Sequence, residues 1–206
     1  MNKEYKLHEI IVEAGQLFQR YGVKSISMEE LSRQLGISKK TLYQYFEDKN
    51  DLVEKVLYYI MHEQGCVLAD LHEKKLNAIE EMFEMYRFAR ELIRSYNPAL
   101  EFDLQKFYPA VFKKLREYHR NNMFNLTVQN LTKGKDEGFY RPDIQVDTIA
   151  KLFIIRTENM MHSDLVTPDE IHSDKFFMEV FKYHLFGILS KKGLTYVQKN
   201  HPEFIH

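Results

Sequence analysis

Residues 27–49 constrain the fold more than any other stretch, because their helix start and stop signals are spaced so closely that only short helices fit between them. Ser27-Met28-Glu29-Glu30 has the capping-box pattern, in which the Ser27 hydroxyl accepts from the Glu30 amide and the Glu30 carboxylate reaches back to the Ser27 N–H. A helix from Met28 to about Leu35 follows, and Gly36 ends it. Ile37 is then an apolar plug, and Ser38 caps a third helix starting at Lys39. Two short helices joined by a tight glycine-containing turn make a helix-turn-helix unit.

The flanking sequence extends this unit in both directions. Upstream, residues 5–21 place Ile10, Ile11, Ala14, Leu17, Phe18 and Tyr21 on one helical face, and Gly22 stops that helix. Downstream, Glu47-Asp48 breaks the third helix, and Asp48 caps a fourth that runs through Leu52, Val53, Val56 and Leu57 to about His72. Residues 74–96, 109–134, 146–163 and 173–191 read as further amphipathic helices, with Asn97-Pro98, Gly134, residues 138–142 and Thr167-Pro168 as breaks. Eight Gly and five Pro leave little material for tight β-turns. The expected fold is all-α: an N-terminal three-helix domain over residues 1–48, joined by a long helix to a C-terminal helical bundle within residues 49–206 that serves sensing and dimerisation.

With 29 Lys and Arg against 30 Asp and Glu, overall charge gives no pull toward nucleic acid, so any such site must be local. The local chemistry is present. Met28, Leu31, Leu35, Ile37, Leu42 and Phe46 can pack inward against Ala14, Leu17 and Phe18, which leaves Ser38, Lys39, Lys40, Thr41, Tyr43, Gln44, Tyr45 and Lys49 exposed on one side. Lysines neutralise phosphates and donate to guanine, glutamine pairs bidentately with adenine, and hydroxyls reach phosphate. Ser27 adds a hydroxyl at the start of the second helix.

At these residues the sequence resembles the tetracycline-repressor (TetR) family of transcriptional regulators. The resemblance rests on Leu17-Phe18-Gln19-Arg20-Tyr21-Gly22, Ser25-Ile26-Ser27-Met28, the run from Gly36 through Ser38-Lys39-Lys40-Thr41-Leu42-Tyr43-Gln44-Tyr45-Phe46, and Asp48-Lys49, about the first quarter of the chain. It implies that Lys39, Lys40 and Gln44 face bases, that Thr41, Tyr43 and Tyr45 make phosphate or mixed contacts, and that Lys49 is the phosphate contact opening the fourth helix. Two positions depart from the family pattern. Lys40 stands where a small residue or proline is frequent, and Glu29 puts a negative charge in the first turn of the second helix. The implied function is a repressor that binds a palindromic operator as a homodimer and is released by a small effector.

One helix-turn-helix reads a short half-site, so a second copy about 34 Å away on the duplex is a mechanical requirement. Ile149, Leu152 and Phe153 form one apolar stripe, and Phe177, Val180, Phe181, His184 and Ile188 form another; each is either a dimer interface or internal core. Gly187 would permit close helix approach. Phe83, Tyr86, Phe107, Phe124, Asn159 and His162 are candidates to line a pocket for an apolar or amphipathic effector, or are plain core.

Other functions find little support in the sequence. There is no phosphate loop, nucleophile elbow, GxGxxG or HExxH, so neither catalysis nor a cofactor is expected. His62 and Cys66 lie one turn apart with His72 beyond, an incomplete ligand set, so no metal site is expected and a metal-responsive regulator is only an alternative. A helical interaction protein with a degenerate helix-turn-helix is another. A lone cysteine, no leader-like pattern in residues 1–20 and no apolar run near ~20 residues lead to an expected cytoplasmic location without membrane contact.

Overall fold

The computed structural model describes residues 3–160 and 163–205, with all their side chains except those of residues 3–5, 64–73 and 168. The described chain is helical: α1 (Lys3–Tyr21), α2 (Met28–Gln34), α3 (Lys39–Leu42), α4 (Lys49–Glu73), α5 (Ala78–Arg94), α6 (Pro98–Phe107), α7 (Pro109–Asp136), α8 (Val146–Met160), α9 (Pro168–Ile171), α10 (Asp174–Ile188) and α11 (Lys191–Asn200), then a 3-10 turn at Pro202–Phe204. An isolated bridge between Tyr140 and Leu189 is the β pairing found among the described residues. No described helix is long and apolar enough to cross a membrane. The chain divides into two compact units, Met1–Cys66 with Ser95–His119 and Val67–Arg94 with Arg120–His206.

In the first unit Ile10, Ala14 and Phe18 of α1 pack on Met28 and Leu31 of α2, on Leu42 and Phe46, and on Leu52, Val53 and Val56 of α4. This is the inward set expected from the sequence, with Leu17, Leu35 and Ile37 partly buried around it. The unexpected member is α6, because Asn97-Pro98 starts a helix instead of only breaking one. The Asn97 carboxamide oxygen accepts from the Ala99 amide at 2.9 Å, and proline occupies the first helical turn, where its missing N–H has no role. Asn97 also donates to the Gln19 carbonyl at 2.6 Å and Gln19 donates to the Ser95 carbonyl at 2.8 Å, which fastens α6 to the end of α1. Leu104 then joins the first core.

The second unit is built around Ile79, Phe83 and Tyr86 of α5, Leu131 of α7, Tyr140, Ala150 of α8, and Phe181, Leu185 and Ile188 of α10. Gly134 interrupts nothing: it lies inside α7, and an added Cβ there would sit 2.0 Å from a carbon of the Tyr140 ring. The Tyr140 hydroxyl lies 2.9 Å from both the Ala78 carbonyl and the Asn130 carboxamide oxygen and shares its one proton between them, so this buried ring has no polar atom left unmatched. Ser190 caps α11, a helix absent from the sequence expectation, and the segment beyond it inserts Phe204 beside Phe83 at 4.5 Å between ring centroids.

Candidate nucleic-acid interface

Three side-chain caps shape the first unit's polar end. Ser27 Oγ accepts from the Glu30 amide at 3.0 Å, Ser38 Oγ from the Thr41 amide at 2.9 Å, and Asp48 Oδ1 from the Asp51 amide at 2.9 Å. The expected capping box at Ser27 is only half formed. The Glu30 carboxylate turns away from the Ser27 amide to Arg33 and Gln34, charged and amide donors one turn along, and these hydrogen bonds hold its pKa below the usual value. At α4 the side chain reaching back does find a backbone donor, since the Asp51 carboxylate accepts from the amide of Glu47, one residue before the cap, at 3.0 Å. Gly36, with φ of +62°, turns the chain between α2 and α3 in the left-handed region that favours glycine.

The third helix is shorter than its sequence suggests. Regular α-helix covers Lys39–Leu42, after which the Gln44 and Tyr45 amides donate to the Thr41 and Leu42 carbonyls three residues back, tightening the chain into turn geometry. The cause is the close spacing of the Ser38 and Asp48 caps. Even so, the sidedness expected for this segment is present. Leu42 and Phe46 are fully inside, whereas Ser38, Lys39, Lys40, Tyr43 and Gln44 are exposed. Ser27 is exposed with its Oγ engaged as a cap, Thr41 is half-buried with its hydroxyl 2.8 Å from Ser38 Oγ, and Tyr45 is half-buried against the core. No ion pair holds Lys39 or Lys40 among the described residues.

Lys49 corrects the sequence reading. It is not an exposed cation at the head of α4: it is partly buried, and its ammonium donates to the Val23 carbonyl at 2.7 Å, in the loop between α1 and α2. Burial lowers its pKa, against the opposing pull of the Asp103 carboxylate. Asp103 comes from α6 and is itself buried, and its Oδ2 accepts from the Lys24 amide at 2.7 Å. Gly22, with φ of +78°, lies so near that an added Cβ would meet Asp103 Oδ2 at 2.9 Å. Lys49 and Asp103 therefore pin the α1–α2 loop.

In the second unit the rings of Phe153 on α8 and His184 on α10 lie 4.7 Å apart. Of the eight side chains that formed the two expected stripes, Phe181, His184 and Ile188 are buried, and Phe177 and Ile149 pack against the same core. These five pack into or against the second unit's core. Phe177 stacks on Tyr86 at 5.1 Å. Val180 and Phe153 are half-buried and Leu152 is exposed. The outward apolar side chains are instead Leu152 (56% exposed), Ile155 (55%), Tyr183 (78%) and Phe186, beside an open surface at Gly187. Two buried nitrogens on these helices, Arg156 Nε and His184 Nε2, lack a hydrogen-bond partner. Burial, and secondarily the Arg156 charge, pushes the His184 pKa down to about 3.

Three of the six pocket candidates share one core. Phe83 and Tyr86 are buried in an aromatic cluster with Phe181 and Phe204, and Phe124 packs against that core. Phe107 belongs to the first unit and is exposed, Asn159 is exposed on α8, and His162 lies outside the described residues. Of the alternative metal set, His62 is exposed while the side chains of Cys66 and His72 lie outside those described. No group of three possible metal ligands occurs among the described residues.

A three-helix head in which α3 and the turn after it set lysines, tyrosine and glutamine outward over a buried Leu42 and Phe46 has the form of a helix-turn-helix unit. Residues 10–56 match the family model described as bacterial regulatory proteins, tetR family. The chain is 31% identical over 100 residues to the uncharacterised HTH-type transcriptional regulator YvaF of Bacillus subtilis, a match covering 48% of this chain and 52% of that protein. It is 20% identical over 146 residues to the HTH-type transcriptional repressor KstR2 of Mycobacterium tuberculosis, covering 69% of this chain and 73% of that one. The fold matches a solved transcriptional regulator from Cytophaga hutchinsonii with a TM-score of 0.72 at 20% identity, over 90% of this chain and 99% of that chain. The solved structure of KstR2 matches with a TM-score of 0.58 at 18% identity, over 90% and 96%. Over residues 10–56 the chain is thus similar to the tetR family of bacterial regulatory proteins, and its whole fold is similar to that of solved transcriptional regulators.

Proposed function

We propose that this regulator is a repressor that binds a palindromic operator as a homodimer and leaves it when a small effector occupies the second unit. The observation that carries the DNA reading is the sidedness of residues 38–46: Lys39, Lys40, Tyr43 and Gln44 face solvent while Leu42 and Phe46 anchor the same segment in the core. Buried anchors hold exposed readers at a fixed height, which base recognition requires. Lys39 and Gln44 are the base-reading side chains, and Tyr43 and Lys40 complete the contact surface.

The homodimer places Leu152, Ile155, Tyr183 and Phe186 against their counterparts in a second copy. An apolar face of this kind on two adjacent helices is self-complementary under a two-fold axis. The effector is a small apolar or amphipathic molecule. Two features support that chemistry. Among the described residues the Tyr86 hydroxyl meets only the Met178 sulfur, at 3.7 Å, within an otherwise aromatic cluster, and KstR2 is described as a ketosteroid transcriptional regulator.

Gln44→Ala and Lys39→Ala each relax discrimination at single base pairs by about 1–3 kcal/mol. Gel-shift titrations on the operator and on scrambled DNA of equal length read this directly. The loss is confined to the operator if these residues read bases, and equal losses on both DNAs remove the residue concerned from the reading set.

A further inference from the structure

Resting on the DNA-binding reading above, we infer that Lys24 and Lys106 form a second phosphate-binding patch that engages the DNA backbone flanking the half-site. The patch lies in the first unit, away from α3. Lys24 Nζ stands 5.2 Å from the centroid of the Phe107 ring, and Lys106 Nζ stands 5.5 Å from the same ring and 5.2 Å from that of Phe102. Both rings are unusually open to solvent, Phe102 at 57% and Phe107 at 43% exposed. Two ammonium groups are thus gathered about one aromatic ring, and no carboxylate pairs with either among the described residues.

Arg20 and Arg116 each lie over a single ring, Tyr21 and Phe112, whereas Lys24 and Lys106 share one. Lys6, Arg33, Lys55, Lys113 and Lys114 are each matched by a glutamate or aspartate, and Lys49 is turned into the Val23 carbonyl. The acidic side chains of α6 leave the patch unneutralised, since Asp103 is buried on the Lys24 amide and Glu101 is taken up by the Tyr96 hydroxyl. Exposed lysines held over aromatic faces are pre-positioned cations, which lowers the entropy lost when they meet an anion.

Continuity with the reading face selects DNA as that anion. Lys24 precedes the α2 cap Ser27 by three residues, and it is exposed with Ser25 between buried Val23 and Ile26, whose backbones are joined by the Ile26 amide on the Val23 carbonyl at 3.3 Å. The Asp103 bond to the Lys24 amide fixes the Lys106 and Phe107 end of α6 to that loop.

The test measures binding to a duplex carrying the site selected by the unaltered protein, with long flanks or trimmed to the site, across a salt series. Each neutralised phosphate contributes about 0.9 to the slope of log affinity against log salt, and a dimer brings four of these lysines. The double variant Lys24→Gln with Lys106→Gln therefore lowers the slope by about 3.6 on the long duplex. It loses affinity equally for scrambled DNA, and on the trimmed duplex the unaltered protein approaches the variant's slope. All substituted side chains are exposed, and a melting curve matching that of the unaltered protein checks the fold. If the slope on the long duplex is unchanged while Lys40→Ala lowers it, the inference is overturned. If the unaltered protein selects no DNA, the reading beneath it fails as well.

Discussion

Leu152→Asp combined with Ile155→Asp separates the protein into monomers and lowers operator affinity by more than about a hundredfold, equivalent to about 3 kcal/mol. Both side chains are more than half exposed in the single chain, so aspartate there leaves the monomer's own packing intact. In the dimer the same carboxylates are buried against apolar counterparts without partners, and an unpaired charge in such a place is strongly unfavourable. Sedimentation or light scattering reads the association state, and titration on operator DNA reads the affinity. A double variant that stays dimeric and binds as before would show that α8 and α10 do not form the interface. The same pair of measurements on Ile188→Asp is no substitute, because Ile188 is buried in the second unit's core and its loss unfolds that unit.

Gly134→Ala destabilises the second unit by about 3 kcal/mol, the upper end of the usual range for overpacking. Helix propensity alone argues the other way, since alanine in a helix interior is favoured over glycine by about 1 kcal/mol. The steric effect wins here because the new methyl carbon would lie 2.0 and 2.2 Å from two carbons of the Tyr140 ring. That ring cannot swing aside cheaply: its hydroxyl is fixed by the Ala78 carbonyl and Asn130, and it is 1% exposed. A thermal melt should fall by roughly 6–12 °C. In a Tyr140→Ala background the same glycine substitution should cost little, because the clashing atoms are gone. An unchanged melting temperature for Gly134→Ala alone would mean that the helix and ring separate without strain.

How much of this was legible in the sequence depended on how far apart the interacting groups are. Caps act over three residues, so Ser27, Ser38 and Asp48 announced the helix starts that the structure contains. Asn97-Pro98 carried an equally local signal for α6 and was read only as a break; asparagine followed by proline is a start pattern as well. Periodicity likewise distinguished buried Leu42 and Phe46 from exposed Tyr43 and Gln44, because the first unit has one core to face.

The readings that changed involve partners far along the chain. Nothing near Lys49 shows that its ammonium bonds a carbonyl 26 residues earlier, or that Asp103 answers a loop 79 residues away. On α10 both faces are apolar, so the sequence could not tell Phe181 and Ile188, which point inward, from Tyr183 and Phe186, which do not. Phe83 and Tyr86 suffered the same ambiguity. The residues that fill the space beside them, Phe204 among them, lie in a C-terminal segment whose helix went unrecognised.

The central claim is that residues 38–46 read base sequence, and selection of bound duplexes from a random DNA pool tests it most directly. The account predicts enrichment of a palindrome with two half-sites, and its loss on replacing Lys39 and Gln44 together. Recovery of unenriched DNA by an intact, folded dimer would contradict it and leave the helix-turn-helix as a protein-binding surface.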